Sequence, residues 1–357
     1  MQYVVIWVFL FLAAMSHAAS AAITNANLAL LVNDNDPQSV AVAKYYQESR
    51  LIPDENIIRL SFDHQKPSMS AAAFTKLREQ VESKVPDEVQ AYALTWTKPY
   101  KVACMSITSA FALGFDKAYC AQGCKTTRRL PYYGSSSGHP HRDFGIRPTM
   151  MLAGKDSNDV LQLIDRGVGA DSSRPKGRAY LVSTPDKNRN VRAKIYPLIV
   201  SRMQDVVDIE VVQANYIQNK NDVLFYFTGL KNVRGLESNT YLPGAVADHL
   251  TSSGGALFGE RQMSAMKWLE AGATGSYGTV TEPCNFPGKF PNPAILMHRY
   301  IGGDTLIEAY WKSVSMPGQG IFIGEPLASP FKGCRLRNGP TGKLVFEDIH
   351  AEPSCGP

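Results

Sequence analysis

Short apolar runs alternate with segments of helical spacing along this chain, and that alternation constrains its fold more than any other feature. Leu28-Ala29-Leu30-Leu31-Val32 has the length and character of a buried strand. It ends at Asn33-Asp34-Asn35-Asp36-Pro37, which is rich in helix-capping residues and has a proline where a helix can begin. From Ser39 to Arg50, Val40, Ala43, Tyr45 and Tyr46 recur at a spacing that covers one helix face. Pro53 interrupts, Asn56 to Phe62 alternates like a strand, Ala71 to Val85 fits a second helix, and Val89 to Trp96 supplies a third strand. Val102 to Ile107 reads as a further short strand. Strands separated by helices pair in parallel, and parallel sheets are buried on both sides. The expected class is α/β, a mostly parallel sheet with helices on both faces in a three-layer sandwich.

Residues 112 to 148 break the rhythm with two cysteines, prolines, glycines and Ser135-Ser136-Ser137, and read as an insertion. Alternation resumes with a helix at Ser157 to Asp165, a strand at Ala179 to Ser183 and a helix at Asn190 to Gln204. Strands follow at Val206 to Gln213 and Asp222 to Phe227. The spacing then predicts a helix over Ala245 to Thr251, a strand over Gly255 to Phe258, a helix over Met263 to Ala271 and a strand over Gly275 to Val280. A long helix from Pro293 to Lys312, broken at Gly302-Gly303, precedes a last strand at Gly320 to Ile323. The 44% of hydrophobic residues over 357 positions can bury a large core, which excludes a disordered chain.

The N-terminus reads as an address. The apolar run Val4 to Met15 covers roughly 18 Å at about 1.5 Å per residue, short of a hydrocarbon core of roughly 30 Å. Ala19-Ser20-Ala21 behind it is a small-residue cleavage signal, so a cut there starts the mature chain at Ala22; a cut after Ala18 also fits. The expected organisation is a signal peptide over 1–21, one α/β domain over 22–332 with the insertion 112–148, and a tail over 333–357. The mature protein is expected in the periplasm or outside the cell, with no stable membrane insertion once the signal is removed. Six cysteines, Cys104, Cys120, Cys124, Cys284, Cys334 and Cys355, suit an oxidising compartment and up to three disulfides. Short loops favour Cys120 with Cys124 and Cys334 with Cys355, leaving Cys104 for Cys284. Zinc is not expected: Cys120-x3-Cys124 has no second ligand pair at suitable spacing, and His139 and His141 stand alone in a Ser/Gly/Pro-rich loop.

Charge is concentrated. Residues 125 to 202 hold 15 Lys and Arg against 6 Asp, a net of +9 in a chain whose total is +5. This is either a solvated face or a patch for an anionic partner, such as a phosphorylated surface glycan or an acidic envelope protein. No nucleic-acid motif accompanies the charge, so nucleic acid is not an expected partner.

In parallel sheets ligands bind beyond the carboxyl ends of strands, near a switch in strand order. The candidate binding residues at such ends are Asp34, Trp96, Thr97, Thr228 and Arg261. Glycine patterns for phosphate binding are missing, as is G-x-S-x-G, so no cofactor and no ordinary hydrolase serine is expected. Single candidates for chemistry remain. Cys284 follows a strand and is either a thiolate or half of a disulfide. Glu260 and Glu282 could pair as carboxylates if their strands are neighbours, or bridge to Arg261 or Lys267. His249 follows Asp248 on the expected short helix, where adjacent side chains point about 100° apart and do not face each other. Trp268 and Trp311 fit core faces of helices, whereas Trp96 is the expected pocket wall.

The stretch "DVLFYFTGL … GGALFGE … LEAGATGSYGTVTEP … YIGGDTLIEAYWKSV … GQGIFIGEPLASPF" resembles the caspase-like fold of gingipain-type cysteine peptidases. The resemblance implies a strand ending in Thr-Gly-His, a later strand delivering Cys, and a closing Gly-Asp-Pro-like turn. Here Thr228-Gly229 matches, Leu230 stands at the histidine position, the Gly255 to Glu260 segment offers no cysteine, and Gly324-Glu325-Pro326 stands at the turn. A Cys–His dyad needs both partners within hydrogen-bond reach, so the fold is expected without the peptidase pair. The segments "LLVN", "VQAYALTWTKPYKVACMSITSAFALGF", "RPTMMLAG", "LIDRGV", "PGAVADHLTSSGG", "AGATGSYGTVTEP" and "EAYWKSVSMPGQGIFIGEPLA", spread over residues 27 to 332, resemble a family of exported bacterial proteins. That family occurs with the exosortase sorting system. The resemblance implies an accessory to envelope export or surface polymer, and implies no activity.

Overall fold

The computed structural model describes residues 23–121, 123–347 and Cys355; the expected signal peptide 1–21 lies outside them. The molecule is α/β, built on a ten-stranded, mostly parallel sheet. In chain order the strands are β1 (Leu28–Asn33), β2 (Ile57–Leu60), β3 (Ala91–Leu94), β4 (Thr149–Met151), β5 (Arg178–Ser183), β6 (Asp208–Gln213), β7 (Val223–Thr228), β8 (Tyr241–His249), β9 (Gly275–Thr279) and β10 (Gly320–Gly324). Their spatial order is β2-β1-β3-β4-β10-β9-β8-β7-β5-β6. Every adjacent pair is parallel except β9 with β10. Two five-stranded parallel blocks therefore meet at one antiparallel seam and run in opposite directions.

Local sequence explains most of these elements. Every residue of β1 and β7 is buried, as uninterrupted apolar runs require when both faces are covered. The edge strand β6 shows the opposite pattern, exposed or half-buried throughout. Helix α1 (Pro37–Arg50) starts where Asp36 accepts the Gln38 amide at 3.0 Å with Pro37 in its first turn, and ends at Leu51 in the left-handed region at φ 54°. Ser70 caps α2 (Ala71–Glu82), Ser106 caps α3 (Ile107–Leu113) and Asp156 caps α5 (Ser157–Ala170) in the same way, while α4 (Pro140–Phe144) is a single short turn within the insertion. Helices α6 (Tyr196–Met203), α7 (Met266–Glu270), α8 (Pro293–Ile301) and α9 (Leu306–Ser313) complete the layers. One core joins α1, α6, α8 and α9 to the sheet, and a second joins α2, α3 and α7.

Four expectations are corrected. Ala245 to Thr251 is not a helix: its first five residues, through His249, belong to β8, a strand buried between β7 and β9 despite its alanines, and Leu250 and Thr251 follow it without regular structure. Gly255 to Phe258 is not a strand but a run of turns. Val102 to Ile107 splits into a tight hairpin, Lys101–Val102 against Met105–Ser106, after which α3 begins. The disulfides join Cys104 to Cys120 and Cys124 to Cys284, with Cα atoms 5.4 and 5.2 Å apart, so the Cys120–Cys124 and Cys104–Cys284 pairings are replaced. Cys120 is thus tied to the β-hairpin through Cys104, and Cys124 to the segment after β9 through Cys284. Cys334–Cys355 forms as expected, beside a small hairpin of Leu336–Asn338 and Leu344–Phe346.

The insertion is laid against the body. Leu130 and Gly134 donate their amides to the carbonyls of Ser315 and Lys312 at 2.8 Å each, and Tyr132 is buried. Beyond β10, Glu325 is buried and accepts Arg50 through Nε at 2.9 Å and a terminal nitrogen at 2.7 Å, with the Tyr46 hydroxyl at 2.6 Å. Arg50 also pairs with Asp171 at the end of α5. This network fastens α1 and α5 to the Gly324-Glu325-Pro326 turn, and burial beside Glu325 pushes the Tyr46 hydroxyl well up.

Candidate functional site

Because the two blocks oppose each other, their carboxyl ends lie on opposite rims of the sheet. Asp34, Trp96 and Thr97 stand on the first rim, Thr228, Glu282 and Cys284 on the second. The expected binding residues therefore do not form one site. On the first rim the strand order switches between β1 and β3, and that crevice is filled. The Asn33 amide donates to Ser39 Oγ at 2.9 Å, Ser39 Oγ lies 2.7 Å from Thr95 Oγ1, and the Thr97 hydroxyl donates to the Gly154 carbonyl at 3.1 Å. Trp96 is fully buried, edge-on to Phe62 at 4.9 Å, with its indole N–H given to the Pro99 carbonyl at 3.3 Å. It is core and not the expected pocket wall. Asp34 pairs with Arg59 at 2.5 Å on the surface.

On the second rim the switch lies between β5 and β7, where Thr228-Gly229-Leu230 ends the strand. Here too the chain fills its own crevice. The Thr184 hydroxyl donates to the Gly229 carbonyl at 2.6 Å, and a β-carbon on Gly229 would come within 1.9 Å of the Arg189 carbonyl oxygen. The 3₁₀ turn Asn190–Ile195 turns Arg192 inward, where it lies 2.5 Å from Asp248 and donates to the carbonyls of Thr228 at 2.8 Å and Pro291 at 3.3 Å. Both side chains are almost wholly buried, and burial raises the Asp248 carboxyl against the opposing pull of Arg192. The Thr228 hydroxyl is buried without a hydrogen-bond partner among the described residues.

His249 ends β8, so it points to the opposite face from Asp248, and the two cannot act as a base with its orienting acid. Its Nδ1 accepts the Trp268 indole N–H at 2.9 Å and its Nε2 lies 3.1 Å from the Met263 carbonyl, which fixes the neutral tautomer with the proton on Nε2. Burial pushes its imidazole down to about 3. Trp268 is thereby a core residue, as is Trp311, whose indole donates to the Thr149 carbonyl at 3.0 Å. Cys284 is bonded to Cys124, and among the described residues no cysteine is free. Glu282, exposed just past β9, accepts the Cys284 amide at 2.8 Å. Glu260 and Arg261 are exposed in the turns between β8 and α7. Lys267 pairs with Glu270 at 2.7 Å.

The residues that govern this rim, Arg189, Arg192 and Asp248, carry no signal in the sequence. The helical character of its neighbours hides Asp248, and Arg192 sits in a segment whose spacing reads as one continuous helix. Beside Arg192 opens a cavity of about 300 Å³, bounded also by Lys194, Tyr133, Phe290 and Asn292. Asn292 caps α8 through Oδ1 and holds Nδ2 3.5 Å from the Tyr133 hydroxyl, so the insertion forms one wall. Nearly half of the basic segment is neutralised in place: among the described residues at least seven of its fifteen cations lie within ion-pair distance of an acid. Among the described residues no group of three or more His, Cys, Asp or Glu converges on a metal position, and no helix is long and apolar enough to cross a membrane. No protein-family model, no curated protein and no solved structure matches the chain.

Proposed function

We propose that this protein is an exported, non-catalytic binding or accessory protein of the bacterial envelope, acting in the periplasm or outside the cell. In this reading a peptidase-like scaffold of caspase type has been turned to binding. The observation that carries it is the closed second rim. Leu230 occupies the position of the peptidase histidine, Arg189 and Arg192 fill the crevice beside it, His249 is held neutral in the core, and Cys284 is a disulfide half. A thiolate pair has no members there. Three disulfides favour an oxidising compartment. The link to exosortase-type sorting or to surface polymer is supported by the resemblance of the motifs quoted above. The cavity beside Arg192 is the binding face in this reading; Arg192 is already matched by Asp248, and the exposed Lys194 at its rim is the cation that an anionic envelope glycan or protein would meet.

The test is made on purified, oxidised protein. Peptide and ester substrates should turn over no faster than the buffer blank. Immobilised anionic surface polysaccharide should retain the protein, less so in high salt and less so for Lys194→Glu. Turnover abolished by substituting one residue of the second rim would sink the non-catalytic reading, and retention indifferent to both salt and Lys194 would sink the glycan partner.

A further inference from the structure

Ile23, the first described residue, is buried deeply. It is 1% exposed, sits within the main hydrophobic core, and its backbone nitrogen lies 3.3 Å from Glu308 Oε2. Glu308 is itself buried in α9. Its Oε2 also accepts the Thr305 amide at 3.2 Å and the Thr305 hydroxyl at 2.8 Å, while its Oε1 lies 3.4 Å from Lys312 Nζ. Lys312 Nζ in turn lies 2.8 Å from Asp304 and 5.4 Å from the centre of the Tyr132 ring. Among the described residues Lys312 is the one cation within ion-pair distance of the two carboxylates, and Arg299 acts on the cluster only from farther off, so a second close positive charge is missing. Burial of an unbalanced carboxylate is costly, and the Glu308 carboxyl is raised for that reason. A peptide N–H at Ile23 brings a dipole to this site; an α-ammonium would bring the missing charge.

The sequence supplies a way to make one. Ser20-Ala21-Ala22 has small residues at the first and third positions before Ile23, the pattern that an export peptidase accepts. We propose that the leader is cut between Ala22 and Ile23, one residue beyond the Ala19-Ser20-Ala21 signal, and that the freed α-ammonium of Ile23 stays inside the fold as the ion-pair partner of Glu308. Water supplies the chemistry: its oxygen adds to the Ala22 carbonyl carbon, the C–N bond breaks, Ala22 leaves as a carboxylate, and the Ile23 nitrogen keeps its hydrogen and gains two protons as an ammonium. Maturation and completion of the core are then one event. The inference rests on the export reading for its peptidase alone.

Two measurements test it. The N-terminal peptide of the exported protein, analysed by mass, should begin at Ile23; a start at Ala22 or Ala19 overturns the proposal while leaving export intact, whereas a retained, uncut chain refutes export itself. Refolded chain beginning at Ile23 should melt roughly 2–5 °C above the same chain extended by Ala21-Ala22, and Glu308→Gln should abolish that difference. Equal melting of the two wild-type forms, or a gap that persists in Glu308→Gln, overturns the ion pair. The wild-type comparison stands even if Glu308→Gln does not fold.

Discussion

His249 carries the chemistry of a general base in a setting that forbids its use. Both ring nitrogens are committed, one to Trp268 and one to Met263, and the folded imidazole titrates at about 3 against 6.5 for a free one. Below pH 6.5 the unfolded chain takes up a proton that the folded chain refuses. Its contribution to stability is thus complete above about pH 6.5 and is lost as pH falls toward 3, by up to about 1.4 kcal/mol per pH unit. Asp248 works in the opposite sense, because its raised carboxyl is relieved on acidification. Urea midpoints measured at pH 7 and pH 4.5 should therefore fall for the wild type and fall less for His249→Gln, whose amide can serve both neighbours. Parallel losses in the two proteins would assign the acid limb to other groups. Asp248 and His249 do not cooperate, which agrees with the expectation from sequence, but the cause differs. The expectation rested on helix neighbours diverging by about 100°, whereas in β8 the two side chains face opposite sides of the sheet.

At the scale of elements, legibility followed the source of each preference. β1 and β7 declare themselves as apolar runs, and α1, α2 and α5 by capping residues next to periodic spacing, all of which are local signals. β8 has no such signal. Ala245-Val246-Ala247-Asp248 favours a helix when read alone, and only burial between β7 and β9 makes it a strand. β4, only three residues long, is too short for any periodicity to show. The candidate site is half visible in the sequence. Thr228-Gly229 can be placed at a strand end, but the segment that closes it comes from about forty residues earlier, a contact no spacing predicts. That closure gives a direct prediction: Gly229→Ala must displace the Arg189 carbonyl, the kind of overpacking that costs roughly 1–3 kcal/mol or more. Limited proteolysis should then cut faster within residues 184–195, and an unchanged digestion pattern together with unchanged stability would show that the crevice has slack.

Across the whole molecule, the disulfides differ in what they restrain. Cys124–Cys284 closes 160 residues, whereas Cys104–Cys120 and Cys334–Cys355 close 16 and 21. Chain entropy alone puts the long closure at about 5 kcal/mol and the short ones at about 3 each. Replacing both cysteines of the 124–284 pair by serine should lower the denaturation midpoint more than the same change at 104–120. The reverse order would mean that the insertion is held chiefly by its hydrogen bonds. The pairing itself is illegible in the sequence, since proximity along the chain favours Cys120 with Cys124 and only the folded path separates them. The seam between the two blocks has its own consequence. β10, made of residues 320 to 324, lies between β4 and β9, so the sheet's middle position is filled by its last strand to be synthesised. Until that strand arrives, β4 and β9 each present an unpaired edge, and a partly made chain has no finished sheet to fold onto. Completion of the sheet must wait for nearly the whole polypeptide, so the two opposed blocks are locked together only when the chain is almost finished.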